Sequence, residues 1–206
     1  MTTPIAAQDQ QRGSLVLLRH GETEWSRSGQ HTGRTDIPLT VRGEQLGERT
    51  AELLKGRVFS LVLTSPLQRA RRTAELAGLA DAEIDDNLME WDYGGYEGLT
   101  TNEIRERVGH PWTVFGDGVI PGATPGESIE EVAARCHKVI DRVMPYLATD
   151  DVALVGHGHC LRILATVFLR QEPRFGAQLK LDAGSVSVLG WERETPAVES
   201  WNRTLP

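Results

Sequence analysis

The chain has 206 residues, 39% of them hydrophobic and 25% charged, with a formal net charge of −7. That size and balance describe an ordinary globular domain with one good core. The negative charge excludes nucleic acid and anionic membrane as partners, since both need a basic face.

Residues 1–13 are polar and poor in aromatics. They read as a loose arm ahead of a single domain over 14–206. With no apolar leader and no run of transmembrane length, a cytoplasmic location is expected. Cys136 and Cys160 are far apart with no close pairing pattern, so both read as reduced, packing cysteines.

The run Leu15-Val16-Leu17-Leu18 is uniformly apolar and feeds directly into Arg19-His20-Gly21-Glu22-Thr23. Four apolar residues in a row, bounded by glycines, predict a strand covered on both faces, as in a parallel sheet. A polar loop is expected over 24–38, then a helix over 40–55 that Gly56 ends.

Leu61-Val62-Leu63 is a second such strand and runs into Thr64-Ser65-Pro66-Leu67-Gln68-Arg69. Ser65 as cap, Pro66 at the first helical position and Gln68 three residues past the cap predict a helix start that holds Arg69 near the strand end. Two further capping boxes, Thr100 with Glu103 and Ser128 with Glu131, predict helices over 101–108 and 129–146. Between them, 109–127 is long, rich in glycine and proline, and carries Trp112 and Phe115. Such a segment is often a lid or binding loop, and the two aromatics suggest an apolar wall for a leaving group.

Val152-Ala153-Leu154-Val155 is a third buried strand and leads into Gly156-His157-Gly158-His159. A helix over 159–169 follows. The alternating segment 185–192 then reads as an edge strand, with a further strand at 198–201. The βαβα order predicts an α/β three-layer sandwich with a mostly parallel central sheet.

In such a sheet, ligands sit beyond the carboxyl ends of the strands. A single histidine there is ordinarily a satisfied polar group. Three neighbouring strand ends that deliver Arg19, His20, Arg69 and His157 are a different matter. Two guanidinium groups and two imidazoles in one crevice make an anion site, and phosphate suits planar bidentate arginines best.

Phosphomonoester hydrolysis needs an in-line nucleophile, positive charge on the non-bridging oxygens and an acid for the departing oxygen. His20 is the candidate nucleophile, with Arg19, Arg69 and His157 around the phosphate, and no metal is required. The acid is sought in Leu88-Met89-Glu90-Trp91-Asp92-Tyr93-Gly94-Gly95-Tyr96-Glu97. Glu90 between apolar Met89 and Trp91 is the candidate, with Asp92 and Glu97 as competitors. His31, His110 and His137 read as surface or loop residues, and His159 as a pocket wall or helix-start residue.

Leu18-Arg19-His20-Gly21-Glu22-Thr23, Ser65-Pro66-Leu67-Gln68-Arg69, the Glu90 segment and Gly156-His157-Gly158 together resemble the histidine phosphatase superfamily, in its phosphoglycerate-mutase-like branch. The resemblance is nearest to small bacterial acid phosphatases formerly labelled mutases. It implies a phosphohistidine on His20, a phosphate pocket of Arg19, Arg69 and His157, and Glu90 as proton donor, with no cofactor. It adds Thr32 near the phosphate, a backbone N–H from Gly158, and contacts from Thr23 and Ser26. Ser26 stands where mutases of the family carry asparagine. It also implies a small phosphorylated metabolite as partner and, by analogy, a homodimer through the edge strand.

Three other readings compete. A cofactor-dependent phosphoglycerate mutase would need a basic insertion to hold a second anionic group, and this chain offers only Arg105 and Arg107 in that region. A metal site on His157 and His159 lacks further ligands and would sit beside two arginines. A non-catalytic phosphate-binding module would leave the nucleophile and acid without a task.

Overall fold

The computed structural model describes residues 12–205. Six strands form one sheet: β1 (Leu15–Arg19), β2 (Phe59–Thr64), β3 (Glu83–Ile84), β4 (Asp151–Gly156), β5 (Val186–Glu192) and β6 (Thr195–Arg203). Their order is β3-β2-β4-β1-β5-β6. The first four are mutually parallel, whereas β5 runs antiparallel to β1 and β6 antiparallel to β5. The segment 185–192 is therefore an interior strand and not an edge. The edges are β6 and the two-residue β3, which no periodicity in the sequence signals.

Strand residues alternate between two apolar layers, as a period of two requires. Leu15, Leu17, Leu63 and Leu154 face α6 (Ile129–Val143) and α7 (Gly158–Phe168), while Val16, Leu18, Ala153 and Val155 face α2 (Val41–Leu54) and α3 (Gln68–Leu76). Helices on both faces complete the expected sandwich.

Several boundaries differ from expectation for local reasons. The 24–38 segment contains a short helix, α1 (Glu24–Ser28), closed by a reciprocal capping box between Thr23 and Ser26. In α3 the helix begins later, with Leu67 as cap and no side-chain bond of its own, while the Ser65 hydroxyl ahead of it accepts from Leu67 N at 3.3 Å and from His157 Nε2 at 2.8 Å. Pro145 follows α6, which ends at Val143, and Tyr146–Ala148 continues only as a 3-10 turn.

Helices α4 (Thr101–Val108) and α5 (Val114–Asp117) flank Trp112, and both Trp112 and Phe115 are buried in the larger core. The 109–127 segment is thus folded down by its aromatics. Most of the arm expected over 1–13 lies outside the described residues. Its last two residues are not loose: Arg12 stacks over Trp191, and buried Gly13 bonds to the Leu147 carbonyl at 3.0 Å.

One close approach sets the position of the first strand end. A Cβ on Gly43 would lie 2.0 Å from the Glu22 carbonyl oxygen, and one on Gly21 2.1 Å from the Gly43 carbonyl oxygen. Helix α2 therefore presses backbone to backbone on the loop that follows His20. The two missing side chains make this contact possible.

Candidate active site

The three parallel strand ends converge. Arg19 pairs with Gly156 across β1 and β4, and Thr64 with Val155 across β2 and β4. Backbone bonds continue past the strands, from His20 N to the Gly156 carbonyl at 2.9 Å and from Ser65 N to the Val155 carbonyl at 3.0 Å. His20, Ser65 and His157 thus share one edge, and the His20 and His157 ring centroids are 5.0 Å apart.

His20 is buried, and its Nδ1 lies 2.7 Å from the Gly21 carbonyl oxygen. A carbonyl only accepts, so Nδ1 carries the proton and Nε2 keeps the lone pair. Burial, followed by the charges of Arg69 and Arg19, pushes the His20 pKa well below the ordinary imidazole value of 6.5. The ring is a neutral, oriented nucleophile.

A cavity of about 250 Å³ opens in front of it, lined by Arg19, His20, Ser26, Gln30, His31, Thr32, Glu90, Tyr93, Thr101, Gly158, His159, Arg162 and Leu181, with Gly29. Arg19 donates through Nη1 to the Leu181 carbonyl, and its buried Nε has no partner. A buried donor left unpaired is costly, and on a cavity wall it invites an anion. Gly158 leaves room for this guanidinium, since a Cβ there would be 3.3 Å from Arg19 Nε.

Arg69 and His157 are wholly buried, and neither lines the cavity. Arg69 donates from Nε to His157 Nδ1 at 3.2 Å, from Nη1 to the Thr35 carbonyl at 2.9 Å, and from Nη2 to the Thr32 and Gly33 carbonyls. His157 Nδ1 accepts, so Nε2 donates to Ser65 Oγ at 2.8 Å. Both residues stand behind His20 and brace the loop that carries Thr32. Burial and the Arg69 charge hold His157 neutral as well.

Glu90 lines the cavity, but not as a carboxyl in an apolar slot between Met89 and Trp91. Three backbone amides point at it: Trp91 N at 2.9 Å and Cys160 N at 2.8 Å on Oε1, and His159 N at 3.0 Å on Oε2. Two of the three are the orphan amides at the start of α7.

The competing carboxylates are tied into loops. Asp92 accepts from Gly94 N and Thr124 Oγ1, and Glu97 accepts from Gly33 N and Thr35 N. Glu90 is the one carboxyl among the lining residues.

Of the contacts implied around the phosphate, Thr32, Ser26 and Gly158 reach the cavity. Thr23 does not: it is buried, and its hydroxyl caps α1 by accepting from Ser26 N. Ser26 Oγ in turn holds Thr23 N at 2.9 Å.

Sequence reasoning missed Arg162, Tyr93 and His31 as wall residues. Arg162 follows an unremarkable Leu161 on α7. Its Nε and Nη2 donate to the Gly176 and Ala177 carbonyls, and its guanidinium stacks on Phe115. Tyr93 Oη lies 2.5 Å from His159 Nδ1, and His31, expected at the surface, packs against Tyr93 and Trp112. No signal short of the fold itself brings these residues to the cavity.

The described residues contain no cluster of three or more His, Cys, Asp or Glu side chains able to hold a metal, and no helix long and apolar enough to cross a membrane. A larger groove of about 560 Å³ beside the start of β2 has an aliphatic and charged lining without an imidazole.

The chain is 37% identical over 180 residues to an acid phosphatase of Mycobacterium tuberculosis, covering 86% of each chain. It is 35% identical to a sedoheptulose 1,7-bisphosphatase of Saccharomyces cerevisiae, covering 74% of this chain and 66% of the relative. The solved structure of an open reading frame from Mycobacterium tuberculosis superposes with a TM-score of 0.87 at 35% identity, covering 93% of this chain and 98% of that one. Residues 15–204 match the model of the histidine phosphatase superfamily, branch 1, and with its strand-end histidines and arginines arranged in this way the chain belongs to that superfamily.

Proposed function

We propose that the chain is a metal-independent phosphomonoester hydrolase, an acid phosphatase of broad specificity that acts through a phosphohistidine on His20. The observation that carries this reading is the His20 ring: its Nδ1 proton is given to the Gly21 carbonyl, which leaves the Nε2 lone pair beside Arg19 with its unpaired Nε. The relatives named as phosphatases support a small phosphorylated metabolite as substrate, and a cavity of about 250 Å³ suits one.

In the first step the Nε2–P bond forms as the P–O ester bond breaks, and Glu90 gives its proton to the departing oxygen. In the second, water attacks phosphorus, Glu90 takes back a proton, the Nε2–P bond breaks and inorganic phosphate leaves. Arg19 carries charge on the non-bridging oxygens. Arg69 helps hold His20 neutral, and His157 packs edge-on against the His20 ring; His157 reaches phosphate only by giving up a contact it now makes, whereas Arg69 has one N–H group to offer.

Hydrolysis is favoured over mutase chemistry because the cavity has a thin grip for a second anionic group. Arg105 and Arg107 are exposed and line no part of it, and two of the three nitrogens of Arg162 are already bound.

The test is a chemical quench. Wild-type enzyme should carry phosphate that is stable in base and labile in acid, and His20→Ala should carry none and turn over nothing. An acid-stable phosphoenzyme would refute the assignment. Isomer formation from 3-phosphoglycerate in place of phosphate release would favour the mutase.

A further inference from the structure

The least expected group near the site is a buried arginine that never touches the cavity. Arg135 of α6 forms a two-point pair with Glu127, Nε to Oε1 at 2.8 Å and Nη2 to Oε2 at 3.2 Å. Its remaining nitrogen, Nη1, reaches the Asn87 carbonyl at 2.7 Å, the Met89 carbonyl at 2.6 Å and Cys160 Sγ at 3.3 Å. Glu127 grips the other side of the same segment. It accepts from Asp92 N at 2.8 Å and, through its carbonyl, from Trp91 Nε1 at 2.7 Å, and its own amide donates to the Asp92 carbonyl.

Residues on both sides of Glu90 are therefore tied to one ion pair. The same arginine touches Cys160, whose amide is one of the three donors on the Glu90 carboxyl. We infer that the Arg135–Glu127 pair is a positioning device for Glu90, which fixes the carboxyl between the leaving oxygen and the start of α7.

A general acid works only at hydrogen-bond distance from the oxygen it protonates. Shifts of about 1 Å caused far from the chemistry can cost about 10²-fold. The segment has no regular secondary structure between the 3-10 turn at Asp86–Leu88 and α4. Its rigidity therefore comes from ties such as this pair, with Arg34 3.3 Å from Glu127 Oε2, the Thr124 hydroxyl on Asp92 and Gly95 N on the Ile120 carbonyl beside it. Lysine cannot replace the fork, because a point charge makes no two-point contact with a carboxylate.

The inference rests on Glu90 being the proton donor, so the experiment separates the two claims. Wild type, Glu90→Gln, Arg135→Lys and Glu127→Gln are compared by kcat/KM on glycerol 3-phosphate, whose alkoxide needs a proton, and p-nitrophenyl phosphate, whose phenolate leaves without one. Glu90→Gln should lower the ratio of the two by about 10²–10⁴-fold, the usual worth of general acid catalysis. Arg135→Lys should lower it by roughly 10- to 10²-fold, with circular dichroism of the wild-type form.

If Glu90→Gln leaves the ratio unchanged, the proton-donor assignment fails. If Glu90→Gln lowers it while folded Arg135→Lys slows both substrates equally, the positioning role is overturned and the pair only stabilises the fold. Should Arg135→Lys not fold, Glu127→Gln is read by the same ratio, with the same two outcomes.

Discussion

At the scale of the residue, the site depends on how few ring nitrogens and guanidinium protons are left free. His20 spends Nδ1 on a carbonyl, His157 spends both nitrogens, and Arg69 spends four of its five N–H groups on His157 and the 32–35 loop. Arg69 is thus the residue whose replacement disturbs most at once. Arg69→Lys is expected to lose on the order of 10²-fold in kcat/KM, comparable to removal of one preorganised donor. It should also speed amide exchange at Gly33 and Thr35, whose loop it pins from beneath. A lysine variant as active as wild type would show that the fork is dispensable.

At the scale of the element, the loop after β1 is held by the close packing of α2 together with side-chain bonds, Thr40 Oγ1 to Glu22 Oε1 at 2.9 Å and Gly21 N to Thr73 Oγ1 at 3.0 Å. Gly43 sits in the first turn of that helix, where alanine is intrinsically better by about 1 kcal/mol. Here the added methyl would meet the Glu22 carbonyl at 2.0 Å. Backbone must shift, so Gly43→Ala should destabilise the protein and lower kcat together, because the moved segment carries His20. Thermal unfolding and steady-state kinetics on the same preparation check this. A higher melting temperature with full activity would mean that α2 can back away freely. The caps were read well from sequence where the cap residue had no second task, as at Thr100 and Ser128. At Ser65 the hydroxyl has two tasks: it accepts the Leu67 amide at 3.3 Å, as a capping serine would, and it also meets His157, and the helix itself starts only at Gln68.

At the scale of the molecule, the cost of keeping imidazoles neutral in the interior falls on stability. Burial depresses the pKa of His20, His157 and His159 well below 6.5. Below about pH 6.5 the unfolded chain binds protons at these positions that the folded chain refuses, so stability falls with acidification. Each group contributes up to about 1.4 kcal/mol per pH unit until its folded pKa is reached, and nothing above the unfolded value. The urea midpoint should drop steeply between pH 7 and pH 5.5, and His159→Gln should drop less steeply. A midpoint flat across that window would show that the imidazoles titrate in the folded state.

The sequence by itself determined the three parallel strands β1, β2 and β4 and which residues follow them at the common edge. Uniformly apolar strands, followed by Arg19-His20 directly, by His157 after one glycine and by Arg69 at a helix start, leave little freedom, because burial on both faces favours a parallel sheet and a parallel sheet aligns its strand ends. Only the tertiary structure decided which of those side chains face the cavity. Arg69 and His157 turned inward because backbone carbonyls and a serine hydroxyl lay within reach. Arg162, Tyr93 and His31 reached the wall because α7, the Glu90 segment and the 29–33 loop flank it. The surroundings of Glu90 belong to the same class. Its sequence neighbours are apolar, yet its actual partners are amides about seventy positions away, and a contact at that separation leaves no trace in local pattern.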